Sequence, residues 1–268
     1  MLASSHRSRL VTAAVGLPVL ALCIWLGGWP LFGLVLAASL AGLWEFTGFF
    51  PGAGGCVRGA CLVLGALMVW LGWRLGAGAA FAVPLAAFWL EELARLFHKG
   101  NGQAGPGAPD GPPRWFTAAA LLYIPGSLQF LTAFGPGETA LVLAVVMATD
   151  TGAYYAGHLI GGPKIWPSVS PKKTWAGSIG GLLATVAVCL AAAALWGKAS
   201  LAAFALLGAL LSAASQMGDF MESSLKRAAG IKDSGNLLPG HGGILDRADG
   251  LIPAILVYAL ARNLTQYL

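Results

Sequence analysis

The sequence predicts an all-α, polytopic integral membrane protein of about nine transmembrane helices, with its polar loops gathered on one side. Three observations predict it. The chain has 268 residues, of which 57% are hydrophobic and only 10% charged, and its mean hydropathy is +0.74. A soluble domain carries about 25% charged residues to keep its surface wet. The apolar residues also fall in runs close to the ~20 that a helix needs to cross hydrocarbon. Finally, the basic residues between those runs are unevenly shared between the two sides of the implied topology, as the positive-inside rule requires.

The first run, 10–28, follows Arg7 and Arg9. It has the look of a signal peptide, but it is long, lacks a small-residue cleavage site and is followed by further spans, so it reads as the first anchor. Runs at 30–50, 57–73 and 76–97 complete an N-terminal group of helices, residues 1–97. Residues 98–114 include GNGQAGPGAPDGPP, which has nothing with which to bury a core and reads as a flexible cytoplasmic linker. The C-terminal part, 115–268, carries runs at 115–134, 138–160, 176–197, 199–217 and 250–267. Helices are expected throughout, because in lipid each backbone N–H and C=O must be satisfied within its own segment. Cys23, Cys56, Cys61 and Cys189 lie in or beside apolar runs, without the paired spacing of a zinc site or a disulfide framework, and read as packing residues.

With the N-terminus cytoplasmic, thirteen of the sixteen Lys and Arg residues face the cytoplasm, and only Arg74, Lys198 and Arg262 face the other side. The net charge of +5 is thus dispersed between apolar runs, where topology and the binding of anionic lipid or phosphate account for it and nucleic acid does not. Two further cytoplasmic loops, 161–175 and 218–249, are rich in charge, Gly and Pro, whereas the outer loops are only a few residues long. Chemistry is therefore expected at the cytoplasmic face of the C-terminal part.

Four constellations stand out there. Asp219, Glu222, Ser223 and Lys226 share one helical face where the eighth run continues past the membrane surface, with Arg227 beside them. Carboxylates in that position are functional candidates, with an Asp219–Lys226 or Glu222–Lys226 ion pair as the plainer reading. Pro239-Gly240-His241-Gly242-Gly243, followed by Asp246, Arg247 and Asp249, combines a Gly-rich turn able to bind anions with hard oxygen ligands suited to Mg²⁺. The plainer reading is a Gly-rich turn ahead of an acidic helix start. Ser170-Pro171-Lys172-Lys173-Thr174-Trp175 precedes a Gly-rich helix start, a place where phosphate binds through free N–H groups and nearby lysines. The GxxxxGK[ST] order of a P-loop is absent. Asp150 lies inside the sixth run and is expected to face a polar cavity. Glu45, in the second run, has no accompanying motif and reads as structural.

The ordered run Ser224-Leu225-Lys226-Arg227, Lys232-Asp233-Ser234-Gly235 and Leu238-Pro239-Gly240-His241-Gly242-Gly243-Ile244-Leu245-Asp246-Arg247-Ala248-Asp249 resembles the signature of the bacterial phosphatidate cytidylyltransferase family. Asp150-Thr151-Gly152-Ala153-Tyr154 and Ser170 to Trp175 resemble other segments of it, so the likeness is dense from Asp150 to Pro253. The resemblance implies Mg²⁺-dependent transfer of CMP from CTP to phosphatidic acid, giving CDP-diacylglycerol and pyrophosphate, in the bacterial cytoplasmic membrane. It also implies a homodimer with a polar cavity open to the cytoplasm. Asp219 and Asp246 would hold metal, with room for a second cation. Lys173 and Lys226 would act with them in catalysis. Ser170, Lys172, Thr174, Ser223, Arg227, Lys232, Asp233, His241, Gly242, Gly243, Arg247, Asp249 and Asp150 would contact the substrates. Ala176 stands where the family usually has Glu. A CDP-alcohol phosphotransferase would need the run DGxxAR with spaced aspartates, which is absent, and a secondary transporter would show an internal repeat, of which there is no sign.

Overall fold

A computed structural model of the chain describes residues 2–50, 52, 54–100, 115–240 and 242–268, with side chains left undescribed at 2–11, 13 and 93–100. The chain forms two compact units. One contains residues 1–133 and 234–245, the other 134–233 and 246–268.

The first unit is helical. It comprises α1 (Leu2–Leu26), α2 (Gly28–Gly48), α3 (Gly55–Leu75), α4 (Ala77–Ala80), α5 (Ala82–Gly100), α6 (Phe116–Tyr123), α7 (Pro125–Leu128) and a 3₁₀ turn at Gln129–Ala133. The run expected to be one span at 76–97 is divided at Phe81, which caps the four-residue α4 before α5 begins at Ala82. The run at 115–134 is likewise divided at Ile124–Pro125. Pro125, which lacks an N–H, stands at the start of α7, where none is needed. Leu43, Met68, Leu121 and Ile124 are fully buried in this unit. Phe46 stacks on Phe116 with ring centroids 5.8 Å apart, and Phe50 meets Phe116 edge-on.

The second unit contains α8 (Pro136–Leu159), α9 (Trp175–Trp196), α10 (Leu201–Ala228) and α12 (Leu251–Leu264), with the short α11 (Leu245–Ala248) entering it at Asp246. Small residues let α8 and α9 approach backbone to backbone. A Cβ on Gly180 would overlap the side chain of Ala156 and lie 2.9 Å from the carbonyl of Gly152. One on Gly177 would lie 2.8 Å from the carbonyl of Ala153. This is the small-residue packing that membrane helices use where no hydrophobic effect drives them together. The Thr149 and Thr185 hydroxyls meet at 2.6 Å across the same seam. At the far end, Glu138 on α8 accepts a hydrogen bond from Tyr258 and pairs with Arg262 on α12.

Six helical stretches among the described residues are long and apolar enough to cross a membrane: Gly28–Gly48, Gly55–Leu75, Phe116–Ala133, Pro136–Leu159, Trp175–Trp196 and Leu201–Ala228. Ala14–Leu26 and Leu251–Leu264 are shorter apolar helices. The chain is thus an all-α polytopic membrane protein. Helix α5 continues past the expected span end to Gly100, and residues 101–114 of the expected linker lie outside the described residues. The loop expected at 161–175 folds as an antiparallel hairpin, β1 (Lys164–Trp166) and β2 (Ser170–Thr174), with Lys164 opposite Thr174 and Trp166 opposite Ser170. Helix α10 continues past the eighth run to Ala228, as the shared face of Asp219, Glu222, Ser223 and Lys226 required.

Candidate functional site

In the second unit, the hairpin and the last turns of α10 bring opposite charges together. Strand β2 hands directly into α9, whose first turn is capped by Thr174: its buried hydroxyl accepts from the Gly177 N–H at 3.1 Å. Thr174 therefore fills one of the free helix-start positions that the sequence offered to phosphate. Lys173 is half-buried, forms an ion pair with Asp219 and lies 4.6 Å from the centroid of the Phe220 ring. Lys172 is exposed, and its carbonyl receives Lys164 Nζ. A cavity of about 470 Å³ opens between these elements, lined by Asp150, Lys172, Lys173, Ser178, Gln216 and Asp219 among others.

The expected helical face of α10 is present, but its ion pairs divide differently from the pairing with Lys226 alone. Asp219 pairs with Lys173 and accepts from Ser223 Oγ at 3.3 Å. Lys226, 8% exposed, donates to Glu222 Oε1 at 3.1 Å and to Asp246 Oδ1 at 2.7 Å. Asp219 and Asp246, the two aspartates expected to hold metal, thus each already face a lysine. Arg227 is exposed and donates to the Ile231 carbonyl, closing the C-terminal end of α10. Lys232, Asp233 and Arg247 are exposed.

Asp249 sits against α10 because Gly218 has no side chain: a Cβ there would run into the Asp249 carbonyl. Burial, then the charges of Asp219 and Asp150, push the Asp249 carboxyl up to about 7. Among the described residues no three Asp, Glu, His or Cys groups form a ready-made metal cage. Mg²⁺ does not need one, since it keeps several waters and takes one or two carboxylates plus substrate phosphates. The like charges crowded on Asp249 are ones that a hard cation would relieve, so the residues present fit the ion.

In the first unit, the segment 234–245 forms a closed loop. Leu238 N donates to the Gly242 carbonyl at 2.9 Å, and Gly240 and Gly242 take φ of 76° and 85°, values that L side chains rarely adopt. Thr12 donates to the Pro239 carbonyl, and Gly243 is buried. His241 lies outside the described residues.

One feature went unread in the sequence, and a second was read as structural without its partners. Gln216, in an apolar run, accepts from Ser178 Oγ and donates to the Ser178 carbonyl at 3.3 Å and to Ser212 Oγ at 3.1 Å, crosslinking α9 and α10 at the cavity. Its only signal was an amide among apolar neighbours. Glu45 holds the 234–245 loop; its three partners lie about 190–200 positions away, and two of them are backbone N–H groups that leave no motif.

Residues 7–265 match the Cytidylyltransferase family. The chain is 36% identical over 270 residues to the phosphatidate cytidylyltransferase of Brucella suis biovar 1, covering 94% of this chain and 91% of that protein. It is 34% identical over 210 residues to the enzyme of the same name from Mycobacterium bovis, covering 72% and 67%. With the Mycobacterium leprae enzyme it shares 34% over 213 residues, covering 73% and 67%. The signature residues, the Lys173–Asp219 pair at the cavity and a match over nearly the whole length agree: the chain belongs to the cytidylyltransferase family.

Proposed function

We propose that the chain transfers the cytidylyl group of CTP to phosphatidic acid, releasing pyrophosphate and forming CDP-diacylglycerol. The observation that carries this reading is the doubled pairing of lysine with carboxylate, Lys173 with Asp219 and Lys226 with Asp246, at one end of α10. Such pairs are poised to exchange partners. When a polyphosphate enters, Lys173 and Lys226 turn to its oxygens and neutralise charge, and Asp219 and Asp246 are left to hold Mg²⁺. An ion held by Asp219 and Asp246 would neutralise the triphosphate and the leaving pyrophosphate, and a second cation would be held by further carboxylates.

The remaining work is positioning, because the phosphate monoester of phosphatidate is itself a nucleophile at neutral pH. One of its oxygens attacks the α-phosphorus of CTP, the bond from that phosphorus to the bridging oxygen breaks, and pyrophosphate leaves with the bonding pair. The exposed Lys172, Arg227 and Arg247 suit the lipid phosphate as it arrives, and Ser170, Ser223, Lys232, Asp233, His241, Gly242 and Gly243 complete the substrate contacts. The apolar helices place the protein in a bilayer. The reading adds that this is the bacterial inner membrane, that the N-terminus and the site face the cytoplasm, and that the protein works as a homodimer.

The test is purified protein in detergent with phosphatidate and CTP, assayed with Mg²⁺ and with EDTA. Metal-dependent CDP-lipid with one pyrophosphate per lipid is the expected result. Substrate flux across vesicles without consumption of CTP would instead support a transporter.

A further inference from the structure

Glu45 is 4% exposed in the last turn of α2. A carboxylate taken that far from water is tolerated only when its oxygens are bonded. Oε2 accepts from Ser234 Oγ at 3.0 Å and from the Leu245 N–H at 2.9 Å, and Oε1 accepts from the Ile244 N–H at 3.0 Å. The donors come from both ends of the 234–245 loop, so one side chain closes its base. Two glycines make room for it. A Cβ on Gly235 would lie 2.6 Å from Oε1, and one on Gly243 would lie 2.5 Å from Oε2. Bonds to an ionised acceptor are roughly twice as strong as neutral ones, and three of them converge on this carboxylate.

The position of the clasp along the chain gives it a consequence. The last backbone N–H that Glu45 holds is that of Leu245, and the next residue is Asp246. Gly242 and Gly243 stand inside the clasped segment. We propose that Glu45 is a positioning residue for the transfer reaction: its carboxylate fixes the base of the 234–245 loop and so the point from which Asp246 enters its site. The proposal rests on the function read above. It makes Glu45, which the sequence presented as an isolated structural acid, the partner that explains why Ser234, Gly235 and Gly243 have those identities.

Glu45→Gln keeps the shape but replaces one acceptor oxygen with an N–H that opposes the loop's donors. Two readouts decide the matter in detergent-purified protein shown to be folded. The first is hydrogen exchange of peptides spanning 234–245, which needs no activity. The second is kcat against KM for CTP. The expected result is exchange across this segment faster by about tenfold or more, with kcat down about tenfold or more and KM changed by less than about threefold. Ser234→Ala, which removes one donor of three, is expected to fall between that variant and wild type in both, and Glu45→Asp to recover part of the loss. Exchange and kcat both within about twofold of wild type would overturn the proposal, as would a kcat loss that follows only the unfolded fraction. If Glu45→Gln does not fold, Ser234→Ala decides by the same two readouts. If the wild-type protein makes no CDP-lipid, the functional reading fails, and the exchange measurement still tests the clasp.

Discussion

The buried cluster Glu222–Lys226–Asp246 gives the sharpest energetic prediction. Lys226 is 8% and Glu222 1% exposed, and Glu222 Oε2 has no hydrogen-bond partner among the described residues. The ammonium is therefore the ion-pair partner of both carboxylates and the main compensation for Glu222. Lys226→Met keeps the apolar stem and removes the charge. Stripping one partner from a buried ion pair costs about 3–5 kcal/mol, because the remaining charge is left uncompensated. Glu222→Gln removes the less satisfied carboxylate and is expected to cost about 1–2 kcal/mol. In the double variant Lys226→Met/Glu222→Gln the Glu222 charge that Lys226 compensated is gone as well, so the two losses should not add. A coupling of about 1.5–3 kcal/mol is expected. The assay is equilibrium unfolding in mixed micelles for wild type, both single variants and the double variant. Additive losses, or a cost for Lys226→Met below about 1 kcal/mol, would refute the claim that this lysine holds the cluster together.

Other predictions follow from the same geometry. Asp219→Asn and Lys173→Gln are each expected to lower kcat by roughly 10²-fold or more while the protein stays folded, measured by CDP-lipid formation at saturating CTP. Asp249 is raised to about 7 in the folded chain, so the folded state holds its proton more tightly than the unfolded chain does. In EDTA, stability should be greatest below the unfolded value near 4 and fall as pH rises toward 7, by on the order of 2–4 kcal/mol. Asp249→Asn should flatten that decline in a pH series of unfolding midpoints. Gly180→Leu must displace Ala156 and the backbone of α8. It should destabilise the second unit by about 2 kcal/mol or more, whereas Gly230→Ala, with no atom within 4 Å of its Cβ but φ of 70°, should cost about 1 kcal/mol from backbone strain alone.

Long apolar stretches were legible because a helix in lipid announces itself by length and composition. The shared face of Asp219, Glu222 and Lys226 was legible because helical periodicity alone sets it. The breaks at Phe81 and Ile124–Pro125 needed local geometry. The hairpin was hidden because Ser170-Pro171-Lys172-Lys173-Thr174 lacks the alternating apolar pattern that marks a strand. Which lysine meets which carboxylate was not written in any spacing: Lys173 reaches Asp219 from 46 positions away through the folded hairpin. That 234–245 gathers with residues 1–133 while Asp246 onward gathers with 134–233 depends on long-range bonds such as those of Glu45, which composition does not record.

The most direct test of the central claim follows label from CTP. Wild-type protein and Asp246→Asn would be given phosphatidate and CTP labelled either in the α-phosphate or in the γ-phosphate. The account predicts that the α-label enters the lipid and the γ-label leaves as pyrophosphate, with both fluxes falling by roughly 10²-fold or more in Asp246→Asn. Label from the γ-position in the lipid would make the reaction a phosphoryl transfer, and full activity in the folded variant would remove Asp246 from it.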